Sequence, residues 1–187
     1  VRMNYELIII GGGPGGAAAG VYAARKQIRT LIITESFGGQ SIDSNDIQNW
    51  IGTPSISGID LAKSLKEHVK FYAGDYVDIK EGERVTKINK DEESKNGSFL
   101  VTTNKDTYKT KTVLVTTGGT RRKLEITGAS KFEGKGLTYC ASCDGPFFAD
   151  KDVVVIGGGN AGFEAAAQLL AYCRSVTLLA RNDFKAD

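Results

Sequence analysis

The sequence predicts an α/β protein made of two successive strand, glycine turn, helix, strand units, the first enlarged by antiparallel strands. Three observations carry this. The aliphatic run Tyr5 to Ile10 leads directly into Gly11-Gly12-Gly13-Pro14-Gly15-Gly16. A second run, Asp152 to Ile156, leads into Gly157-Gly158-Gly159-Asn160-Ala161-Gly162. Each turn is followed by an Ala-rich helical stretch and another short aliphatic strand. Uninterrupted β-branched runs belong to strands buried on both faces of a parallel sheet, and such strands are joined by helical crossovers.

In chain order, Gly15 to Lys26 favours a helix and Thr30-Leu31-Ile32-Ile33 a buried strand, which completes one βαβ unit. Ser36 to Ser57 is polar and Gly-rich without a period, and reads as a long loop. Ile59, Ala62, Leu65, Val69 and Tyr72 recur at three- and four-residue steps, marking one face of an amphipathic helix. Asp75 to Thr112 alternates around the turn signal Lys95-Asn96-Gly97-Ser98 and reads as short antiparallel strands. A buried strand, Val113-Leu114-Val115, then ends in Thr116-Thr117-Gly118-Gly119. The second unit repeats the pattern with a strand at Asp152 to Ile156, a helix at Glu164 to Tyr172 and a strand at Val176 to Leu179. The expected boundary separates residues 1–119 from residues 120–187.

Composition narrows the function. The 187 residues carry 24 basic and 22 acidic side chains, a net charge of +2, with no basic stripe of the kind that neutralises phosphates, so no nucleic-acid partner is expected. No apolar run reaches the roughly 18 residues of a membrane span, and Val1-Arg2-Met3-Asn4 enters a strand directly; the expectation is a soluble, cytoplasmic protein. Three cysteines are too few for a disulfide scaffold.

Both glycine turns fit the G-x-G-x-x-G pattern of a Rossmann-like fold. In the first, Gly11 permits the tight turn, Gly13 lets backbone approach a pyrophosphate and Gly16 allows close helix packing, with Pro14 opening the helix. The helix N-terminus offers unpaired N–H groups to the phosphates. Glu35 follows about 20 residues on, where a carboxylate accepts from a ribose diol. A dinucleotide is expected; the turn alone leaves FAD and NAD open. In the second turn Gly157, Gly159 and Gly162 take the same roles with Asn160 between them, and the next strand ends in Ala180-Arg181 without an acid. An arginine that pairs with a 2′-phosphate favours NADPH over NADH.

Tyr139-Cys140-Ala141-Ser142-Cys143-Asp144-Gly145 holds a C-x-x-C pair. Two intervening residues bring the sulfurs within disulfide range, and Asp144 adjoins them as a proton donor or acceptor. A zinc site needs two further ligands, and only Cys173 and His68 remain, so a redox dithiol and no metal are expected. Cys173 reads as a core thiol on a helix and His68 as a surface side chain.

A flavin-type glycine turn, Thr116-Thr117-Gly118, the pair Cys140 and Cys143 followed by Asp144-Gly145, and a second glycine turn, in that order, resemble the low-molecular-weight thioredoxin reductase family and the related flavoprotein component of alkyl hydroperoxide reductase. The resemblance covers essentially the whole chain. It implies an FAD-binding domain over 1–119 and the first part of an NAD(P)H-binding domain, carrying the dithiol, over 120–187. Gly39 and Gln40 match a segment beside the flavin ring, Asn49 matches a flavin-contacting asparagine, and Thr117 and Gly118 match a strand-end turn that touches FAD. Asp144 matches the family's catalytic acid, and Gly118 and Gly119 fall near its interdomain hinge. Ala180-Arg181-Asn182 departs from the family's His-Arg-Arg.

The implied activity passes electrons from NADPH (NADH being possible), through FAD and the Cys140–Cys143 pair, to thioredoxin, in a homodimer. The family's remaining nicotinamide segment and the C-terminal return to its flavin domain are missing from these 187 residues, so weak FAD binding and little turnover are expected. An alkyl hydroperoxide reductase flavoprotein-like NADH oxidoreductase and a non-catalytic nucleotide-binding fragment are the alternatives.

Overall fold

A computed structural model describes residues 2–92, 94, 97–119 and 122–185. The chain divides into two compact units, Val1–Gly119 and Thr120–Asp187.

The first unit runs β1 (Arg2–Gly12), α1 (Pro14–Arg25), β2 (Thr30–Phe37), a tight helical turn (Gly39–Asp43), α2 (Gly58–Ala73), β3 (Val77–Glu81), β4 (Val85–Lys90), β5 (Phe99–Thr103) and β6 (Thr107–Val115). Its six strands form one mixed sheet in the order β3-β2-β1-β6-β5-β4. β3, β2, β1 and β6 are parallel, with Ile9 opposite Ile32 on one side and Leu114 on the other. β4, β5 and β6 are antiparallel.

β1 is buried on both faces, as its unbroken apolar run requires. Ile9 joins Ala17, Val21 and Ala24 of α1, Ile32 of β2 and Val69 of α2 on one face. Ile8 and Ile10 join Leu31, Ile33, Val101 and Tyr108 on the other. The second face is therefore covered by the antiparallel strands, which supply a β layer where a doubly wound sheet carries helices. Truncating a fully buried residue here, Ile32→Ala for example, costs about 2–5 kcal/mol.

α1 packs closely because its inward positions are small: a Cβ on Gly20 would lie 2.6 Å from Ile32 Cδ1. α2 starts at Ser57, whose hydroxyl oxygen accepts from the Asp60 N–H at 3.1 Å, an N-cap bond. Its buried stripe is Leu61, Ala62 and Val69, with Leu65 packed beside them. The expected face is corrected at both ends: Ile59, in the first turn of α2, is 69% exposed, and Tyr72, in the last, is also exposed and lies tilted beside the exposed His68 ring, 5.6 Å between centroids.

Two further expectations change. The buried strand expected at Val113–Val115 is instead the exposed end of the nine-residue β6, with Leu114 and Val115 open to solvent; β6 pairs antiparallel with β5 and parallel with β1. Asp75 to Thr112 is not all antiparallel, since β3 extends the parallel side. Lys95 and Asn96 of the expected turn lie outside the described residues.

The second unit contains α3 (Ala129–Phe132), α4 (Ala141–Asp144), a tight turn at Gly145–Phe148, β7 (Asp152–Ile156), α5 (Asn160–Leu169) and β8 (Ser175–Leu179). β7 and β8 are parallel, with Val154 opposite Thr177. α5 ends at Leu169, not at Tyr172, so Cys173 is half-buried in the turn beyond the helix and not on it. Its backbone N–H donates to the Leu169 carbonyl at 2.8 Å.

Candidate functional site

The first glycine turn is built by close backbone approach. Gly11 has φ +113°, and a Cβ there would stand 2.4 Å from the Thr116 carbonyl oxygen. A side chain on Gly16 would meet the Gly11 carbonyl oxygen at 1.9 Å, so the helix start presses against the strand end. Thr116 locks the arrangement. Its hydroxyl donates to the carbonyls of Ile10 at 3.0 Å and Gly11 at 3.2 Å, and its N–H donates to Ile10 at 2.9 Å. Sequence reasoning passed over Thr116 in favour of Thr117 and Gly118, which follow it exposed at the strand end. The signal was present, because a hydroxyl residue ends the strand that pairs with the turn.

At Gly13 the surroundings are open, with only the Gly39 Cα near a virtual Cβ, at 3.8 Å. Gly13 caps α1 without a side-chain hydrogen bond, Pro14 follows it, and the first turn carries no acid. The N–H groups that follow Pro14 at the start of this 12-residue helix are thus left without a side-chain cap, the arrangement that favours an anion. The Gly38 N–H donates to the Gly12 carbonyl at 2.9 Å and brings Gly39 against the turn. Gln40 and Asn49 are exposed, and Asn49 makes no hydrogen bond to the turn among the described residues. Glu35 lies inside β2, not at its end, with an exposed carboxylate 3.9 Å from the Arg84 guanidinium. Arg84 is a neighbour that the sequence did not reveal.

The second turn repeats the first. Gly157 has φ +146°, a Cβ on Gly162 would lie 2.0 Å from its carbonyl oxygen, and Gly159 caps α5 without a side-chain bond. Asn160 opens α5. Gly158 packs on Ala180, and its carbonyl accepts from the Lys185 N–H at 2.7 Å. An open cavity of about 490 Å³ borders the turn, lined by Gly158, Gly159 and Ala180 together with Arg122, Arg181, Asn182, Asp183 and Lys185. Three cations against one acid give its lining a net positive charge. Sequence reasoning found Arg181 alone; Arg122 is far away in sequence and gave no signal.

Cys140 and Cys143 are joined as a disulfide, with Cα atoms 5.3 Å apart. Cys140 is the N-cap of α4, and its sulfur accepts from the Cys143 N–H at 3.1 Å. Cys140 is half-buried and Cys143 exposed. Asp144, half-buried at the end of α4, accepts a hydrogen bond from the Thr138 hydroxyl. The base of the motif is fixed by Ser142 Oγ donating to Gln168 Oε1 at 2.8 Å, and by the Tyr139 hydroxyl accepting from the Leu124 N–H at 2.9 Å. Gly145 is buried against Leu169 and Tyr172. The disulfide thus spans the half-buried N-cap and the exposed third residue of α4, with Asp144 next in sequence; reduction of such a bond takes up two electrons and two protons.

The family model described as pyridine nucleotide-disulphide oxidoreductase matches residues 5–185. The chain belongs to this family. Among curated members it is 43% identical to the NADH dehydrogenase of Bacillus subtilis over 176 residues, covering 94% of this chain and 33% of that protein. It is 41% identical to the F component of alkyl hydroperoxide reductase of Escherichia coli over 183 residues, covering 95% and 34%. The crystal structure of thioredoxin reductase from Streptococcus pyogenes superposes with a TM-score of 0.86 at 34% identity, covering all of this chain and 59% of that one. The chain therefore spans about a third of the length of the curated relatives it matches.

Membership in the pyridine nucleotide-disulphide oxidoreductases implies FAD and a nicotinamide nucleotide, and the residues present fit both. Each turn is a bare backbone cradle in which a side chain at Gly11, Gly16 or Gly162 would collide with main chain. Each opens a helix without a competing cap, and the second adjoins a cationic cavity. No described helix of the chain is long and apolar enough to cross a membrane.

Proposed function

We propose that this chain is the flavin-side and dithiol-bearing part of an NADPH-dependent protein-disulfide reductase whose partner is thioredoxin or a thioredoxin-like protein. The observation that carries the reading is the Cys140–Cys143 disulfide, placed in the chain between two bare glycine cradles. When bound, FAD and the nicotinamide nucleotide supply the hydride and two-electron chemistry. This chain's residues bind and orient. Gly11, Gly13, Pro14 and Gly16 hold the flavin pyrophosphate on α1, Glu35 takes the ribose, and Gly39, Gln40, Asn49, Thr117 and Gly118 border the rest of the flavin nucleotide. Gly157, Gly159, Asn160 and Gly162 hold the nicotinamide pyrophosphate on α5. Arg181, with Lys185 and Arg122 at the same cavity, supports a 2′-phosphate and so NADPH.

The Cys140–Cys143 disulfide accepts two electrons and two protons to become two thiols, and the pair then passes both electrons to a partner disulfide by exchange. Asp144 is the carboxyl that gives and takes a proton beside the leaving sulfur. A cytoplasmic homodimer belongs to the same reading and rests on the family resemblance. The second reading, an NADH-linked flavoprotein of the alkyl hydroperoxide reductase kind, is favoured by the 41% identity to such a component.

Anaerobic titration of the FAD-loaded protein with NADPH and then NADH, followed by the flavin absorbance band, tests the reading, with thioredoxin disulfide as acceptor. Bleaching by NADPH that persists in Cys140→Ser and Cys143→Ser, together with thioredoxin reduction that disappears in both and FAD that is retained, supports it. Bleaching by NADH alone favours the second reading. Loss of FAD from both cysteine variants overturns the assignment of the pair.

A further inference from the structure

We propose that Thr138 is a positioning residue for disulfide exchange, holding the Asp144 carboxylate beside the Cys140–Cys143 pair. The inference rests on the reading above that this pair is the redox centre and Asp144 its proton-transfer group.

One hydroxyl meets both ends of α4. Thr138 Oγ1 donates to Asp144 Oδ2 at the last residue of the helix, and its lone pair faces the N–H of Cys140, the N-cap, at 3.4 Å. A hydroxyl offers one donor and two acceptor positions, so both roles are compatible. The Asp144 N–H closes the helix on the Cys140 carbonyl at 3.0 Å, which leaves the carboxylate torsions as the remaining freedom. Thr138 removes that freedom. Without it, the carboxyl of the residue that follows Cys143 samples several rotamers, and proton transfer waits on the one that the hydroxyl now selects.

A reductant thiolate attacks one sulfur, forming a mixed disulfide as the Cys140–Cys143 bond breaks, and the departing sulfur leaves with the electron pair. That thiolate takes the proton of the Asp144 carboxylic acid, and the carboxylate left behind accepts from the Thr138 hydroxyl until it is reprotonated from solvent. The reductant's second thiolate then displaces the other cysteine sulfur, which is protonated from solvent. The reductant dithiol has lost two electrons and become a disulfide.

The experiment uses the 187-residue chain and dithiothreitol, with the reduction rate at fixed pH read by quenching with an alkylating reagent and mass spectrometry. The proteins are the parent, Thr138→Val, Thr138→Ser, Asp144→Asn and the double variant Thr138→Val with Asp144→Asn. Thr138→Val is expected to slow reduction about ten-fold, and Thr138→Ser to remain within about two-fold of the parent. In the Asp144→Asn background Thr138→Val should add nothing, because both changes remove the same proton path. Far-ultraviolet circular dichroism checks folding, with Thr138→Ala standing in if the valine variant is unfolded.

Slowing by Thr138→Val that multiplies with Asp144→Asn overturns the proposal, because the hydroxyl then supports only local structure. A slow Asp144→Asn beside a parent-like Thr138→Val sinks the role of Thr138 and leaves the function above standing. Parent-like Asp144→Asn removes the proton-transfer role of Asp144, and the positioning role falls with it.

Discussion

The carbonyl oxygen of Gly11 stands 1.9 Å from the point that a Cβ on Gly16 would occupy. The same relationship recurs between Gly157 and Gly162, at 2.0 Å. In both units a helix start is pressed onto a strand end so tightly that only hydrogen fits, and the first N–H groups of the helix are left aimed at whatever anion occupies the turn.

Gly16→Ala should therefore lower the stability of the first unit by about 1–3 kcal/mol or more, since the methyl meets backbone and not a flexible side chain. FAD affinity should fall with it. Thermal unfolding and flavin absorbance of the purified variant check both; Gly15→Ala, which has only the Thr116 side chain nearby at 3.9 Å, is the control expected to keep its stability.

Tyr5 links the N-terminal ends of three strands. Its hydroxyl donates to Asp78 Oδ2 at 2.7 Å, and Arg29 Nη2 donates to the same oxygen at 2.6 Å. Burial first, and then the hydrogen bond to Asp78, raise the phenol pKa above its ordinary 10.0. The folded state thus favours the neutral phenol. This contribution is fully present below pH 10 and is lost as pH rises through the raised folded value. Tyr5→Phe should flatten the alkaline fall in stability, measured by urea unfolding between neutral and strongly alkaline pH. At neutral pH it should cost about 1 kcal/mol for the lost hydrogen bond.

Asp152 behaves with the opposite sign. The Arg174 guanidinium, and then the Ser175 hydroxyl, hold its carboxyl down at about 2. A depressed carboxyl stabilises the fold above its ordinary pKa near 3.8, and that contribution is lost as pH falls toward about 2. Asp152→Asn should reduce the acid sensitivity of the second unit in this window. Acid titrations followed by circular dichroism, at low and high salt, check it, with the smaller difference expected at high salt because the pair is exposed.

Arg181→Ala should weaken NADPH binding about ten-fold and leave NADH binding near the parent value, as expected for loss of one charge-assisted phosphate contact. Calorimetric titration with each nucleotide decides it. Equal weakening of both would assign Arg181 to the pyrophosphate or to local structure.

Much of this molecule was legible in order along the chain. The runs Tyr5 to Ile10 and Asp152 to Ile156 both form the expected strands, the first buried on both faces and the second with Val154 and Ile156 exposed; the glycine spacing after each named the turn, and Ser57 with Asp60 marked the start of α2. Where periodicity misled, as at Ile59, the fault is local. The residue falls on the right helical step but in the first turn, where Leu61 and Ala62 are the buried residues instead.

By itself, the sequence determined the two βαβ beginnings, their glycine turns and the cysteine pair, because each is a contiguous stretch whose chemistry depends on spacing alone. The tertiary structure decided what depends on distant residues meeting. It bent the antiparallel strands over the back of the sheet and buried Glu83 there, where Thr103 and Tyr108 hydroxyls donate to it at 3.0 Å. It also brought Arg122 to the second turn, Arg84 to Glu35 and Thr116 under Gly11. Such pairings follow from sheet register and chain path, set by the summed burial of many side chains, and no single stretch of sequence records them.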